Sequence, residues 1–82
     1  MALALHFAYL VRCADGSLYA GSTQDLAARE ARHNAGRGSR YTAGRRPVTI
    51  VYSEAFDTQQ AAMARERQLK RMPKTKKESL VL

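Results

Sequence analysis

The sequence predicts one α+β domain, with a three-stranded antiparallel sheet flanked by two main helices and a short C-terminal helix. Two apolar runs surround an Asp-Gly pair near the start of the chain, which is the strongest short-range signal for a β-hairpin. A third run with strand propensity lies further along the chain. One segment with helical apolar spacing follows the hairpin, and another follows this third run. Because 82 residues are the size of one small domain, residues 1–82 are interpreted as a single unit.

The hairpin extends over Phe7–Gly21 and carries one tyrosine on each arm, Tyr9 and Tyr19. Opposed residues of an antiparallel pair point to the same face, and faces alternate along each strand. A two-residue turn at Asp15–Gly16 would place the two phenols on opposite faces. A three-residue turn at Ala14–Gly16, with its glycine left-handed, would place both on one face. If the tyrosines form one site, the three-residue turn is the prediction.

A first helix is predicted from about Gln24 to about Asn34, with Ser22–Thr23 as its N-cap and Asp25 in its first turn. Alanines at positions 27, 31 and 35 form a thin apolar stripe on this helix. A neighbouring row consists of Leu26, Arg29 and His33.

Residues 35–47 break the helical pattern and hold three glycines, four arginines and a tyrosine. A loop of this length in a small domain is typically functional or disordered. Arginine binds phosphate in bidentate fashion, and a tyrosine could stack on a base. The alternative is a mobile basic loop without a specific ligand. The residues predicted to bind nucleic acid are Arg37, Arg40, Tyr41, Arg45 and Arg46, together with Lys70 further along.

The third strand is predicted at Val48–Glu54. A second helix follows, capped by Asp57 or Thr58, and it ends near Met72 because Pro73 cannot continue it. The inward row of this helix is Ala62, Glu66 and Leu69. The last segment, Lys74 to Leu82, is interpreted as a short helix that packs back on the sheet.

Charge is the strongest global feature, since the chain has a net charge of +7. It is concentrated in two basic blocks, residues 23–46 and 62–82, which flank a neutral to acidic middle. This pattern indicates a polyanionic partner, with nucleic acid first and an anionic membrane surface second.

Other compositional features bear on location and assembly. No apolar run approaches the roughly 20 residues of a membrane-spanning helix. The opening Met1–Val11 is expected to form a first strand rather than a signal peptide. The single cysteine, Cys13, excludes an internal disulfide and suits the cytoplasm. Alanine-rich helices on a thin core leave a homodimer open.

A polar set is predicted to turn inward from three separate elements, and none of its members is a typical core residue. A carboxylate on the apolar row of a small domain costs stability unless it is paired or holds a metal ion. Two interpretations stay open: a catalytic site, or a structural Arg29–Glu66 ion pair with tyrosine hydroxyls attached. The set consists of Tyr9, Tyr19, Arg29, His33 and Glu66.

At these residues the sequence resembles the GIY-YIG nuclease superfamily, closest to its small stand-alone bacterial single-domain members. The resemblance extends from Phe7 to about Lys77. The two name-giving motifs stand here as Phe7-Ala8-Tyr9 and Tyr19-Ala20-Gly21, and Glu78 stands where many members place a carboxamide. Further matches are Arg29, His33-Asn34, the Ser-Arg-Tyr-Thr and Arg-Arg-Pro-Val pieces, and the segment Ala-Met-Ala-Arg-Glu-Arg-Gln-Leu-Lys around Glu66.

The resemblance implies metal-dependent hydrolysis of a nucleic-acid phosphodiester. Glu66 would hold one Mg²⁺, or Mn²⁺ in its place. Tyr9 or Tyr19 would orient or deprotonate the attacking water, with Tyr9 favoured. Arg29 would clamp the scissile phosphate and, together with the metal ion, lower the pKa of the phenol. His33 would bond a tyrosine hydroxyl or relay a proton.

The expected function is therefore a DNA endonuclease of low sequence specificity, with a structure-selective or repair-related role left open. The alternatives are a basic nucleic-acid-binding module without catalysis and a domain that docks on an acidic protein.

Overall fold

The computed structural model describes residues 5–81 and contains the predicted three-stranded antiparallel sheet. The strand order is β2-β1-β3, so β1 is central and β2 lies at an edge. The strands are β1 (His6–Arg12), β2 (Leu18–Thr23) and β3 (Thr49–Phe56), and the helices are α1 (Leu26–Asn34), α2 (Arg40–Ala43), α3 (Gln59–Arg71) and α4 (Lys74–Val81). The predicted first strand began at Met1 and the last segment ended at Leu82, and residues 1–4 and 82 lie outside the described part.

The hairpin turn has three residues, as predicted from the two tyrosines. The Cys13 amide donates to the Ser17 carbonyl at 2.8 Å, and the Gly16 amide donates to the Cys13 carbonyl at 2.9 Å. Gly16 has φ +86°, the left-handed conformation that glycine adopts at little cost. The resulting register opposes Tyr9 to Gly21, so both phenols lie on one face of the sheet.

Both faces of the sheet are covered, because β1 carries apolar side chains on both sides. On one face, α3 and α4 pack through Leu69, Leu80 and Val81 against Ala8, Leu10 and Ala20. On the other face, Leu26 of α1 packs with the residues beside the tyrosines. That second cluster comprises Tyr9, Val11, Cys13, Val48, Tyr19, Leu26 and Ile50.

Helix α1 begins later than the sequence pattern suggested. Asp25, expected in the first turn, is the N-cap, and its Oδ1 accepts from the Ala28 amide at 3.0 Å. The predicted cap at Ser22–Thr23 was wrong because both side chains are used elsewhere: Thr23 Oγ1 accepts from the Asp25 amide and Ser22 bonds α3. The row with Arg29 and His33 faces the sheet, whereas the alanine stripe lies at the surface.

The basic segment expected as one long loop contains a short helix, α2. Its N-cap is Ser39, whose Oγ accepts from the Thr42 amide at 3.1 Å. A helix of four residues is too short to produce a periodic apolar pattern, which is why the sequence did not indicate it. At α3, the N-cap is Thr58 rather than Asp57. Within residues 5–81, no helix has the length and apolar character needed to cross a membrane.

Candidate active site

Tyr9 and His33 form the buried centre of the site. The Tyr9 hydroxyl lies 2.8 Å from His33 Nε2, and each residue is 1% exposed. β1 supplies the tyrosine, and the row of α1 that faces the sheet supplies the histidine. Gly21, opposite Tyr9 in β2, makes the space for this pair, since a Cβ there would lie 2.3 Å from the Tyr9 hydroxyl.

The second ring nitrogen of His33 is also bonded. Its Nδ1 lies 2.8 Å from Thr42 Oγ1 of α2, and Thr42 is fully buried. The backbone at Gly38 packs directly against the imidazole, because a Cβ there would lie 2.0 Å from Nδ1. The histidine is therefore held on both sides by protein groups.

Glu66 of α3 supplies the carboxylate of the site. Its Oε1 accepts from Ser22 Oγ at 2.7 Å, and its Oε2 lies 3.0 Å from Lys70 Nζ. The Glu66 side chain keeps about a fifth of its surface exposed. The alternative structural interpretation, an Arg29–Glu66 ion pair, is not formed, since within residues 5–81 the cation paired with Glu66 is Lys70.

Arg29 connects the carboxylate side of the site to Tyr9. Its Nη1 lies 3.5 Å from the Ser22 carbonyl oxygen, and its guanidinium is close enough to Tyr9 to affect the phenol pKa. Arg29 also lines a cavity of about 200 Å³. The other residues lining this cavity are His6, Ser22, Thr23, Gln24, Gln59 and Ala62.

Tyr19 completes the site from the second arm of the hairpin. Its ring meets His33 edge-on at a centroid distance of 5.7 Å, and Lys70 Nζ lies 5.4 Å from its centroid. Tyr41 stacks on Tyr19 at 5.6 Å with an interplanar angle of 23°. The guanidinium of Arg45 lies 3.9 Å from the Tyr41 centroid.

These contacts form a circuit around the edge strand β2. The circuit passes from Tyr9 through His33, Tyr19, Lys70, Glu66 and Ser22 to Arg29, whose charge acts on the Tyr9 phenol. Tyr19 and Ser22 point to opposite faces of β2, so the circuit joins both faces at the free edge of the sheet. The structure thus brings together all five residues proposed for catalysis from the sequence.

The environment shifts the pKa values of the central pair in opposite directions. Burial raises the pKa of Tyr9 to about 12, although the nearby Arg29 guanidinium opposes the rise. Burial, followed by the charges of Arg29 and Arg32, lowers the pKa of His33 from its ordinary value of 6.5. His33 is therefore neutral at neutral pH. The lowered phenol pKa expected from the sequence is not what these residues alone produce.

Of the residues predicted to bind nucleic acid, Tyr41 stacks on Tyr19, and the five basic residues lie in three settings. Arg45 donates to Asp15 Oδ2 at 3.1 Å and to the Tyr41 carbonyl at 2.8 Å, and Arg46 donates to the Ala43 carbonyl at 2.9 Å. These two guanidiniums are engaged within the domain. Arg37 and Arg40 are exposed, and Lys70 belongs to the site through Glu66.

The donor set at Glu66 fits one hard divalent ion that keeps most of its water ligands. Among residues 5–81, no three or more His, Cys, Asp and Glu side chains are grouped so as to enclose a metal ion. Mg²⁺ is commonly held by one or two carboxylates, waters and substrate phosphate, and a half-buried carboxylate at an open edge suits this arrangement.

Sequence reasoning missed three contributors to the site. Ser22 was interpreted as a helix cap, and Thr42 and Gly38 as part of a loop. Ser39 and Thr42 have the spacing of an N-cap, whose side chain accepts, and the residue whose amide donates to it, and this signal could have identified α2.

The chain is similar to known proteins in both sequence and structure. A family model of the GIY-YIG catalytic domain matches residues 5–79. A UPF0213 protein of Haloquadratum walsbyi is 48% identical over 75 residues, covering 92% of this chain and 84% of the relative. A UPF0213 protein of Staphylococcus aureus is 46% identical over 76 residues, covering 93% of each. The solution NMR structure of a UPF0213 protein from Bacillus halodurans aligns with a TM-score of 0.59 at 40% identity, over 94% of this chain and 82% of that one.

Proposed function

Because the chain belongs to the GIY-YIG family, we propose that it is a metal-dependent endonuclease that hydrolyses phosphodiester bonds in DNA with little sequence specificity. A GIY-YIG catalytic domain implies nuclease activity on nucleic acid. The observation that carries the finer proposal is the circuit at the edge of β2. It combines the Tyr9 phenol, hydrogen-bonded to the neutral His33 imidazole, with the Arg29 guanidinium and the half-buried Glu66 carboxylate.

In this proposal Tyr9 orients the attacking water and accepts its proton while passing its own hydroxyl proton to His33 Nε2, 2.8 Å away. The oxygen of water forms the new bond to phosphorus, and the leaving oxygen departs as an alkoxide that takes a proton from solvent. His33 then returns its proton to solvent. The products are one phosphate monoester and one hydroxyl end.

The charged residues divide the remaining work. Arg29 binds the scissile phosphate, because Arg29 lines the cavity and its positive charge acts on the neighbouring Tyr9. Glu66 would hold one Mg²⁺ or Mn²⁺, which supplies positive charge to the phosphate oxygens and lowers the pKa of nearby water. Lys70 would balance the charge of Glu66 before the ion is bound.

The net charge of +7 supports salt-sensitive binding to the phosphate backbone of DNA, with exposed Arg37 and Arg40 among the contacts. The lone, buried thiol of Cys13 supports placing the activity in the cytoplasm. The homodimer that the alanine-rich helices left open gains no support from residues 5–81.

Cleavage of supercoiled plasmid, single-stranded and branched DNA with Mg²⁺ tests the proposal. Glu66→Gln should reduce cleavage to background while DNA binding persists. The matched control is Glu54→Gln, since Glu54 is also half-buried and paired to one cation, Arg65, at 2.8 Å, but lies in β3, at the far edge of the sheet. This control should cleave at the wild-type rate.

Two outcomes would contradict the proposal. If metal ions produce no cleavage above the Glu66→Gln background and binding persists, the protein is a nucleic-acid-binding module. If binding does not change between low and physiological salt, an acidic protein partner is the better interpretation.

Tyr9→Phe and Tyr19→Phe, assayed side by side, decide which phenol orients and deprotonates the attacking water. The proposal expects the larger loss of kcat for Tyr9→Phe.

A further inference from the structure

The side of His33 that faces away from Tyr9 carries a second buried polar chain, which the proposed function does not use. Thr42 Oγ1 lies 2.8 Å from His33 Nδ1, 2.9 Å from Ser39 Oγ and 3.3 Å from the Ser39 carbonyl oxygen. Ser39 Oγ already accepts from the Thr42 amide, so its own proton is free to be donated. The chain therefore connects Tyr9, His33, Thr42 and Ser39 in series.

Neutral histidine carries one ring proton, so two arrangements are conceivable. In the first, Nδ1–H donates to Thr42 Oγ1, and the Thr42 hydroxyl donates to the Ser39 carbonyl while accepting from Ser39 Oγ. Nε2 then accepts the Tyr9 hydroxyl proton. In the second, the Thr42 hydroxyl donates to Nδ1, and Nε2–H donates to the Tyr9 oxygen.

Counting donors and acceptors selects the first arrangement. The first arrangement uses every hydrogen bond between His33, Thr42 and Ser39, including the one to the Ser39 carbonyl. In the second arrangement, the Tyr9 hydroxyl proton loses the one protein acceptor that it has among residues 5–81. Tyr9 is only 1% exposed, so the acceptor that remains is the attacking water, which must donate to Tyr9 in the proposed reaction. A buried donor without an acceptor is costly, and native structures rarely contain one.

The packing around the imidazole excludes a water molecule as a substitute for Thr42. The Gly38 backbone lies so close that a Cβ would be 2.0 Å from Nδ1 and 2.5 Å from Cγ. Thr42 is itself fully buried. Ser39, the N-cap of α2, fixes the position of Thr42 by accepting its amide proton. The direction of the hydrogen bond at Nδ1 is thus set by protein groups.

We propose that Thr42 is a positioning residue for the proton relay of this site. By accepting the Nδ1 proton, Thr42 keeps the Nε2 lone pair of His33 directed at Tyr9, so that the proton of Tyr9 can move to His33. The proposal rests on the proposed nuclease function and adds to it a device, built into α2, that sets the direction of proton transfer.

The test combines NMR of the His33 ring nitrogens with cleavage kinetics. In the wild-type protein without substrate, ¹⁵N shifts should show the proton on Nδ1. Thr42→Val, which keeps the shape but removes the acceptor, should move the proton to Nε2 and lower kcat about 10- to 100-fold with little change in KM. Thr42→Ser keeps the hydroxyl and should restore both the tautomer and kcat.

Thr49→Val is the matched control, since Thr49 lies exposed in β3 and its substitution should leave both readouts unchanged. A wild-type His33 with its proton on Nε2 overturns the inference whatever the variants do. So does a Thr42→Val protein that cleaves at the wild-type rate, or a Thr42→Ser protein as slow as Thr42→Val. Absence of cleavage by the wild-type protein would instead contradict the nuclease function, and the ring-nitrogen measurement would still decide the hydrogen-bond direction.

Discussion

Replacing Gly21 by alanine should disable the site through a single methyl group. Gly21 lies directly opposite Tyr9 in the β1–β2 register. A Cβ at Gly21 would meet three atoms of the phenol, Oη at 2.3 Å, Cζ at 2.5 Å and Cε2 at 3.0 Å. The first two distances are shorter than real Cβ contacts, so the Tyr9 ring must move.

The ring has no free space into which to move. Tyr9 is 1% exposed, and its hydroxyl is bonded to His33 at 2.8 Å. Inserting a methyl group into a well-packed core costs about 1–3 kcal/mol. Breaking the buried hydrogen bond adds roughly 1 kcal/mol. We expect Gly21→Ala to lose about 2–4 kcal/mol of stability, which lowers Tm by roughly 10–25 °C in a domain of this size. Displacing the phenol by about 1 Å should reduce kcat on the order of 100-fold.

Thermal unfolding and plasmid cleavage measure the two effects, and Gly44→Ala is the control. Gly44 has φ −90° and no atom within 4 Å of its would-be Cβ, so this substitution should change neither Tm nor kcat. In a Tyr9→Leu background, which lacks the three colliding atoms, Gly21→Ala should cost less than about 1 kcal/mol. Wild-type Tm and kcat for Gly21→Ala, or an equal cost in both backgrounds, would refute the reasoning.

Three further predictions concern charged groups. Lys70→Met removes the ammonium 3.0 Å from Glu66, so the Mg²⁺ concentration for half-maximal cleavage should fall about two- to fivefold; an unchanged or higher midpoint contradicts this. Because burial lowers the pKa of His33, the folded state binds fewer protons than the unfolded state below pH 6.5. In urea unfolding, the free energy of unfolding of the wild-type protein should therefore decrease from pH 7.5 to 5.5, and more steeply than that of His33→Gln. Equal slopes for the two proteins would contradict this prediction. Glu78→Gln breaks the ion pair with Arg12, whose Nη2 donates to Glu78 Oε1 at 2.6 Å. This substitution should lower Tm by less than Gly21→Ala does and leave kcat unchanged. A loss of kcat would place Glu78 in the site.

The sequence predicted the parts of this fold that local chemistry determines. The Asp-Gly pair indicated the hairpin, and the need for two phenols on one face selected the three-residue turn that the register confirms. The row of α3 with Ala62 and Leu69 predicted where Glu66 would lie, since both neighbours are buried against the sheet. The convergence of all five proposed catalytic residues followed from these placements.

Most of what the sequence did not predict depends on contacts between distant segments. One miss was local: the structural alternative paired Glu66 with Arg29, whereas its cation is Lys70, and the i,i+4 spacing of Glu66 and Lys70 on α3 could have identified this pair. Thr42 reaches His33 only because α2 folds back over α1, and a four-residue helix has no periodic signature. The pKa of Tyr9 depends on burial, which no motif spacing reveals.

The opposing pKa shifts of Tyr9 and His33 constrain how a proton can move between them. The pKa of Tyr9 is raised to about 12, whereas that of His33 is lowered from its ordinary value, so burial moves the two pKa values apart. Forming a free phenolate beside an imidazolium before water attacks is therefore unfavourable. A phenol that accepts the proton of water as it releases its own to Nε2 carries no full charge at any stage and avoids most of this cost. The relay therefore works only if both hydrogen bonds are in place together, which makes the short Tyr9–His33 contact and the Nδ1 partner that orients it parts of one device.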